Sequence, residues 1–388
     1  MQSTGTKLAV ERPKGLSASS YIPGLDGIRA VAFMLVFCAH GTPAFISHFI
    51  PASLGVTIFF FLSGYLITTL LRREWERTGT VSLRDFYIRR GLRILVPLYL
   101  VYGLAQAVDY FIFHRQPGTL SGFLSSVFYY FNYGYALGGY GVVLNIYAPT
   151  GMSVIWSLCI EEHFYLIFPV VFLALSRSRL SQGSRMFWLI GFCVLELAWR
   201  SVRVLDHFRV VADWNYYATD ARLDSILWGA VLAMFANPVF GDRSILPSRH
   251  QASVFGTAVL ALICSLAIPG SLYRDAFRYT LQALLLCVIF SFVVSRSEHR
   301  SVRWLEWPWV RYIGWTSYVL YLCHYLILST VGSTLHWVPR ILIGFLLSLG
   351  FATAMRYAVE LPLQRLRSRF RHVPESDATA ADGHGLIS

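Results

Sequence analysis

Long apolar runs, separated by short polar or arginine-bearing segments, recur from residue 27 to residue 360 of the 388-residue chain. A helix rises about 1.5 Å per residue and needs about twenty mostly apolar residues to cross the hydrocarbon core of a bilayer. Ten runs meet or approach that length: Ile28–Phe49, Ser53–Leu71, Leu92–Phe113, Met152–Leu175, Met186–Leu205, Leu223–Ala236, Val254–Pro269, Tyr279–Val294, Tyr312–Val331 and Ile341–Val359. The sixth, seventh and eighth are short. The pattern predicts an all-α, polytopic membrane protein with about ten transmembrane helices, and an even number puts both termini on one side.

Arginine placement chooses the side. With the termini inside, 23 of the 33 Lys and Arg residues fall in or beside inside segments, among them six Arg from Arg72 to Arg90 and four from Arg365 to Arg371. Positive charge collects in loops that stay inside, so both termini are expected to be cytoplasmic. The same bias accounts for the net charge of +12, which on a soluble chain would point to nucleic acid. With 55% hydrophobic and 14% charged residues, against about a quarter charged in soluble domains, a water-soluble fold is excluded.

The domain expected is residues 21–373, with a polar N-terminal segment before it and a tail from Pro374 to Ser388 too rich in small and polar residues to pack. Residues 1–20 lack the apolar core and cleavage site of a secretory signal, so insertion is expected to rely on the first span. The six cysteines sit singly in apolar runs, without the spacing of a metal site or a disulfide framework, and no metal is expected. The segment from His114 to Gly151 reads YYFNYGYALGGYG through its middle; it is too polar to span, which leaves a cavity wall or the surface as its place.

Ionisable side chains within a bilayer cost several kcal/mol unless paired or wet, which makes them the first candidates for function. In the first run, Arg29 and His40 are eleven positions apart. Eleven steps of about 100° return to within roughly 20° of the starting direction and climb about 16 Å, so both face one way. A snorkelling arginine with a structurally bonded histidine explains the pair as well as a site does. Before the third run, Arg90 and Arg93 share a helical face, a geometry suited to clamping phosphate and equally to meeting anionic lipid. Glu161, Glu162 and His163 are consecutive and diverge by 100° steps, so at least one glutamate is expected to line a polar site. Ser317, Tyr321 and His324 align as a hydrogen-bonding stripe, with polar glue between helices as the alternative. Ser63, and Arg222 with Asp224, complete the set, together with Glu360.

A deep imidazole, buried carboxylates and an arginine-lined mouth suit transfer of a group from an anionic donor to a hydroxyl. The imidazole takes the hydroxyl proton as the oxygen attacks and returns it to the leaving group, and a carboxylate orients the ring. No serine or cysteine stands in a nucleophile setting, which favours direct transfer.

The chain resembles the acyltransferase 3 family of integral membrane acyltransferases, which includes O-acetylases of bacterial lipopolysaccharide, exopolysaccharide and nodulation factors and acylases of macrolides. The resemblance runs from about Tyr21 to Arg367 and rests on seven elements in order: GLDGIRAVAFMLVFCAH, LGVTIFFFLSGYLI, FYIRRGLRILVPLYL, WSLCIEEHFYLIFP, RLDSILWGA, SYVLYLCH and VELP. It implies an acyl-CoA donor, usually acetyl-CoA, a carbohydrate hydroxyl as acceptor, and a bacterial inner membrane as location. The family's arginine–histidine element falls on Arg29 and His40, its arginine pair on Arg90 and Arg93, and its acidic position on Glu161; its histidine is thought to be the base. Catalysis is therefore expected at His40 and Glu161, donor binding at Arg29, Arg90 and Arg93, and substrate binding at Ser63, Glu162, Arg222 and His324. His163 stands where the family commonly has Gln, and the chain ends without the soluble esterase-like domain that some members carry. The latter implies that transfer finishes in the membrane or needs a separate periplasmic transferase partner. A transporter or flippase of a polar lipid-linked glycan is the competing class, because intramembrane charges also mark translocation paths. The absence of a visible internal repeat counts against it.

Overall fold

The computed structural model describes residues 21–115, 118–137, 148–205, 211–242, 244–247, 249–332 and 336–368. The polar N-terminal segment and the tail expected from sequence lie outside them, as do the last four residues of the YYFNYGYALGGYG stretch, those after Leu137. Among the described residues there is no strand. The long helices among these residues are α1 (Leu25–Gly41), α2 (Ala52–Thr78), α3 (Leu83–Phe111), α4 (Ile155–Arg177), α5 (Gln182–Leu205), α6 (Leu223–Phe235), α7 (Gln251–Ser265), α8 (Arg278–Ser295), α9 (Pro308–Val331) and α10 (Trp337–Met355).

Each apolar run predicted as a span is helical, and among the described residues six helical stretches are long and apolar enough to cross a bilayer. They are Ala52–Thr78, Leu83–Phe111, Met152–Arg177, Leu223–Phe240, Tyr273–Ser295 and Trp337–Leu366. On that measure six of the ten expected spans are found, and the reasons the others fall short are local. The first run was read to Phe49, but α1 stops at Gly41 because Thr42 precedes Pro43 and takes the extended conformation that a following proline imposes. Helix α7 has 15 residues, α5 carries Arg185, Glu196, Arg200 and Arg203, and α9 carries Arg311, Thr316, Ser317 and His324.

Between lipid-surrounded helices the hydrophobic effect supplies little attraction, so close packing must hold them. Gly64 of α2 lies against the backbone of Ile226, and Gly229 of α6 against the backbone of Phe61, so these helices meet with no side chain between them. Gly314 brings α9 equally close to the Asp26 backbone at the start of α1. Buried apolar residues join α2, α3, α4 and α9 through Phe60, Leu98, Ile155 and Leu322, and join α1, α9 and α10 through Phe33, Phe37, Leu320 and Ala352.

A buried polar network joins α5, α6 and α8. Arg200 of α5 makes two bonds to Asp224 of α6, at 2.8 and 2.7 Å, and Thr280 of α8 donates to the same carboxylate at 2.6 Å. Glu196 accepts from the Leu223 backbone N–H at 2.6 Å, capping the start of α6.

Candidate active site: two chambers that meet at Tyr321

Helices α1, α2, α4 and α9 enclose two cavities. The larger, about 650 Å³, is lined by His40, Trp156, Tyr216, Tyr217, Tyr321 and Tyr325, and its walls include Arg115 and Pro149–Gly151 from the long connecting segment. The smaller, about 90 Å³, is lined by Arg29, Arg90, Arg93, Ser63, Glu161 and Tyr165. Val56 and Tyr321 line both. The molecule thus carries a histidine chamber and an arginine chamber with a shared wall.

Gly151 shapes the first. It adopts the left-handed conformation, φ 81°, against the Leu326 backbone, where a Cβ has no room, and so seats the connecting segment on α9. The cavity-wall placement of that segment is met by Tyr135, Arg115 and Pro149–Gly151, and the nearby Leu120–Val127 and Phe131–Ala136 are short helices.

His40 is held by a second ring. Its Nδ1 lies 2.9 Å from Nε2 of His324, the rings stack with centroids 5.2 Å apart, and Tyr325 covers His40 at 4.9 Å. His324 is fully buried, and its Nδ1 lies 2.8 Å from the carbonyl oxygen of Tyr321. A carbonyl only accepts, so His324 Nδ1 carries the proton. With both rings neutral, His324 Nε2 accepts from His40 Nδ1, and the lone pair of His40 remains on Nε2. In place of the carboxylate expected to orient His40, the structure sets His324, which stands behind His40 without lining either chamber.

Three guanidinium groups and one carboxylate line the arginine chamber. Glu161 accepts from Ser63 Oγ at 2.9 Å and from Tyr165 at 3.0 Å, while Arg90 lies over the Tyr165 ring at 3.6 Å. Arg29 is backed by Asp26 at 3.3 Å, whose other oxygen accepts from Trp315 at 2.6 Å. Arg93 and Ser317 also line this chamber.

Of the residues singled out in sequence, His40 enters one chamber and Arg29, Ser63, Arg90, Arg93 and Glu161 the other. Glu162 and Arg222 line neither. Arg222 is fully buried, bonds Thr57 at 3.1 Å and stacks on Tyr279 at 3.8 Å. His163 joins α4 to the turn at Thr219, 2.7 Å away. The aromatic lining of the histidine chamber escaped sequence reasoning, because tyrosine and tryptophan also populate membrane interfaces; the adjacent pair Tyr216–Tyr217 was the available signal. Arg200 and Glu196 were equally missed, each lying in an amphipathic stretch where charge is ordinary.

A helical membrane protein with a paired-imidazole chamber abutting an arginine-rich one has the makings of a group-transfer catalyst. Residues 22–357 match the family described as an acyltransferase domain, and the chain belongs to this acyltransferase 3 family. It is 28% identical over 323 residues to the peptidoglycan O-acetyltransferase OatA of Listeria monocytogenes, covering 80% of this chain and 50% of that protein. It is 30% identical over 372 residues to YrhL of Bacillus subtilis, whose name gives the same activity provisionally, covering 91% of this chain and 57% of that one. A protein of Staphylococcus aureus strain COL, provisionally named an O-acetyltransferase, is 30% identical over 329 residues, 81% of this chain and 52% of its own. The chain spans about half the length of these curated relatives. No solved structure matches it.

Proposed function

We propose that this protein is a multi-pass inner-membrane O-acyltransferase that moves an acetyl group from acetyl-CoA to a hydroxyl of a cell-envelope glycan. The observation that carries this reading is the meeting of the two chambers at Tyr321, with His40 on one side and Arg29, Arg90 and Arg93 on the other. Phosphates of the donor are held by the arginines through charge-assisted, bidentate hydrogen bonds. The arginine chamber, about 90 Å³, is the narrower of the two. In the histidine chamber, tyrosine and tryptophan rings offer flat apolar faces to a sugar together with hydroxyls to bond its edge.

In this reading His40 Nε2 removes the acceptor hydroxyl proton as its oxygen attacks the thioester carbon, and the proton then passes to the departing sulfur. His324 fixes which nitrogen is free. Glu161 holds Ser63 and Tyr165 in place and offsets part of the arginine charge. The arginine chamber faces the cytoplasm, where acyl-CoA is, with both termini on that side. The histidine chamber, walled by the long connecting segment, faces outward, and a separate transferase partner receives the acyl group where the final acceptor lies beyond reach.

Mass spectrometry of envelope glycans from cells with and without the gene tests this. Acyltransfer predicts that one ester-linked acetyl mass disappears while glycan amount and location are unchanged. A stranded or missing glycan with its esters intact would instead indicate translocation.

A further inference from the structure

Tyr321 lies on both cavities, and the hydrogen bonds around it fix where its proton points. Its hydroxyl is 2.7 Å from Ser157 Oγ, and Ser157 Oγ is 3.1 Å from the carbonyl oxygen of Val154. The carbonyl can only accept, so the serine proton goes to Val154 and the proton between the two hydroxyls is the phenol's. Ser157 lines the arginine chamber alone, and the phenol thus presents an O–H at the boundary between donor and acceptor space. The same residue anchors the base, because its backbone carbonyl takes the proton of His324, which in turn holds His40. Its ring is fixed edge-on against Phe59, with centroids 5.7 Å apart. One residue of α9 therefore reaches the catalytic dyad through its backbone and the chamber boundary through its side chain.

We propose that the Tyr321 hydroxyl is a catalytic residue that stabilises the oxyanion of acyl transfer. This rests on the acyltransferase reading above. For His40 to deprotonate an acceptor while the arginines hold the donor, the thioester carbon must sit where the chambers meet. As the C–O bond forms, the carbonyl π pair moves to oxygen, and the phenol exchanges its neutral bond to Ser157 for one to this anion. When the carbonyl re-forms, the C–S bond breaks, the sulfur leaves with the electron pair, and the proton held by His40 goes to it. An ester and free CoA result. A charge-assisted hydrogen bond to this anion is about twice as strong as the neutral bond to Ser157 that it replaces.

The test uses the purified full chain in lipid nanodiscs, radiolabelled acetyl-CoA, and envelope glycan extracted from a strain lacking the gene. Tyr321→Phe keeps the ring and removes the hydroxyl; kcat is expected to fall about 10²–10³-fold with both KM values within about twofold of the parent. Ser157→Ala breaks the same inter-helix bond from the other side and is expected to cost less than about tenfold. Equal losses from the two variants, or a Tyr321→Phe enzyme within about threefold of the parent, would overturn the assignment and leave a structural bond. Where Tyr321→Phe fails to give monodisperse protein, 3-fluorotyrosine at position 321 replaces it: a changed kcat at constant KM supports the role, and an unchanged kcat rejects it. Parent protein that transfers no label from acetyl-CoA would overturn the underlying acyltransferase reading, a failure recognisable before any variant is compared.

Discussion

The Nδ1 of His40 lies 2.9 Å from Nε2 of His324, and that contact sets the tautomer of the ring that faces the larger chamber. The free nitrogen of His40 is Nε2 only while His324 has its own proton on the Tyr321 carbonyl. Replacing His324 by Phe preserves a buried ring and removes the acceptor. The expected outcome is a kcat lowered by at least about tenfold with the donor KM unchanged, measured by initial rates of acetyl transfer. A raised KM with normal kcat would place His324 in substrate binding instead.

Arg90 and Arg93 line the smaller chamber together. Each charge-assisted bond to a phosphate is worth about 1.5–3 kcal/mol, so Arg90→Gln and Arg93→Gln should each raise the acetyl-CoA KM by roughly ten- to a hundredfold and change kcat less. A donor titration that superimposes on that of the parent protein would remove the clamp.

The Arg200–Asp224–Thr280 network is buried, and Arg200 donates further to the carbonyls of Ala221 and Ala276. Asp224→Asn leaves a buried guanidinium without its counter-charge, at a cost of about 3–5 kcal/mol. A thermal-unfolding midpoint of the detergent-solubilised variant well below that of the parent is expected. An unchanged midpoint would mean that the network contributes little to holding α5, α6 and α8 together.

Outside the spans, hydrogen bonds from Arg72 hold the Asp242 carboxyl below its ordinary value, with a further bond at 3.0 Å from the Asn237 backbone N–H. A carboxyl depressed in the folded state contributes stability that is fully present above its unfolded pKa of about 3.9 and is lost as pH falls through the lower folded value. Asp242→Asn should therefore lower the unfolding midpoint at pH 6, with the difference from the parent shrinking as pH drops below about 4. A difference that is constant from pH 6 to pH 3 would contradict the charge assignment.

Much of the helical layout is readable in the chain because apolar runs and arginine boundaries are one-dimensional signals. Each predicted run falls on a helix. Span number is less readable, since Thr42–Pro43 cuts α1 short and the polar residues of α9 serve a partner helix. The site divides the same way. Arg29 and His40 are marked by their eleven-residue spacing, and Arg90 with Arg93 by a shared face, because such relations survive within one helix. What joins α1 to α9 is invisible at that level: His324 is 284 positions from His40, and the helices meet through tertiary packing, including Gly314 against the Asp26 backbone and Phe33 and Phe37 with Leu320. Tyr321 stands out only as part of a stripe until two cavities are seen to share it.

The assignment of His40 as the base is tested most directly by His40→Ala protein in nanodiscs, given labelled acetyl-CoA and de-acetylated envelope glycan. Transfer is expected to fall at least about 10²-fold while donor binding and the unfolding midpoint stay close to those of the parent protein. Acetyl transfer at the parent rate by a folded His40→Ala protein would contradict it.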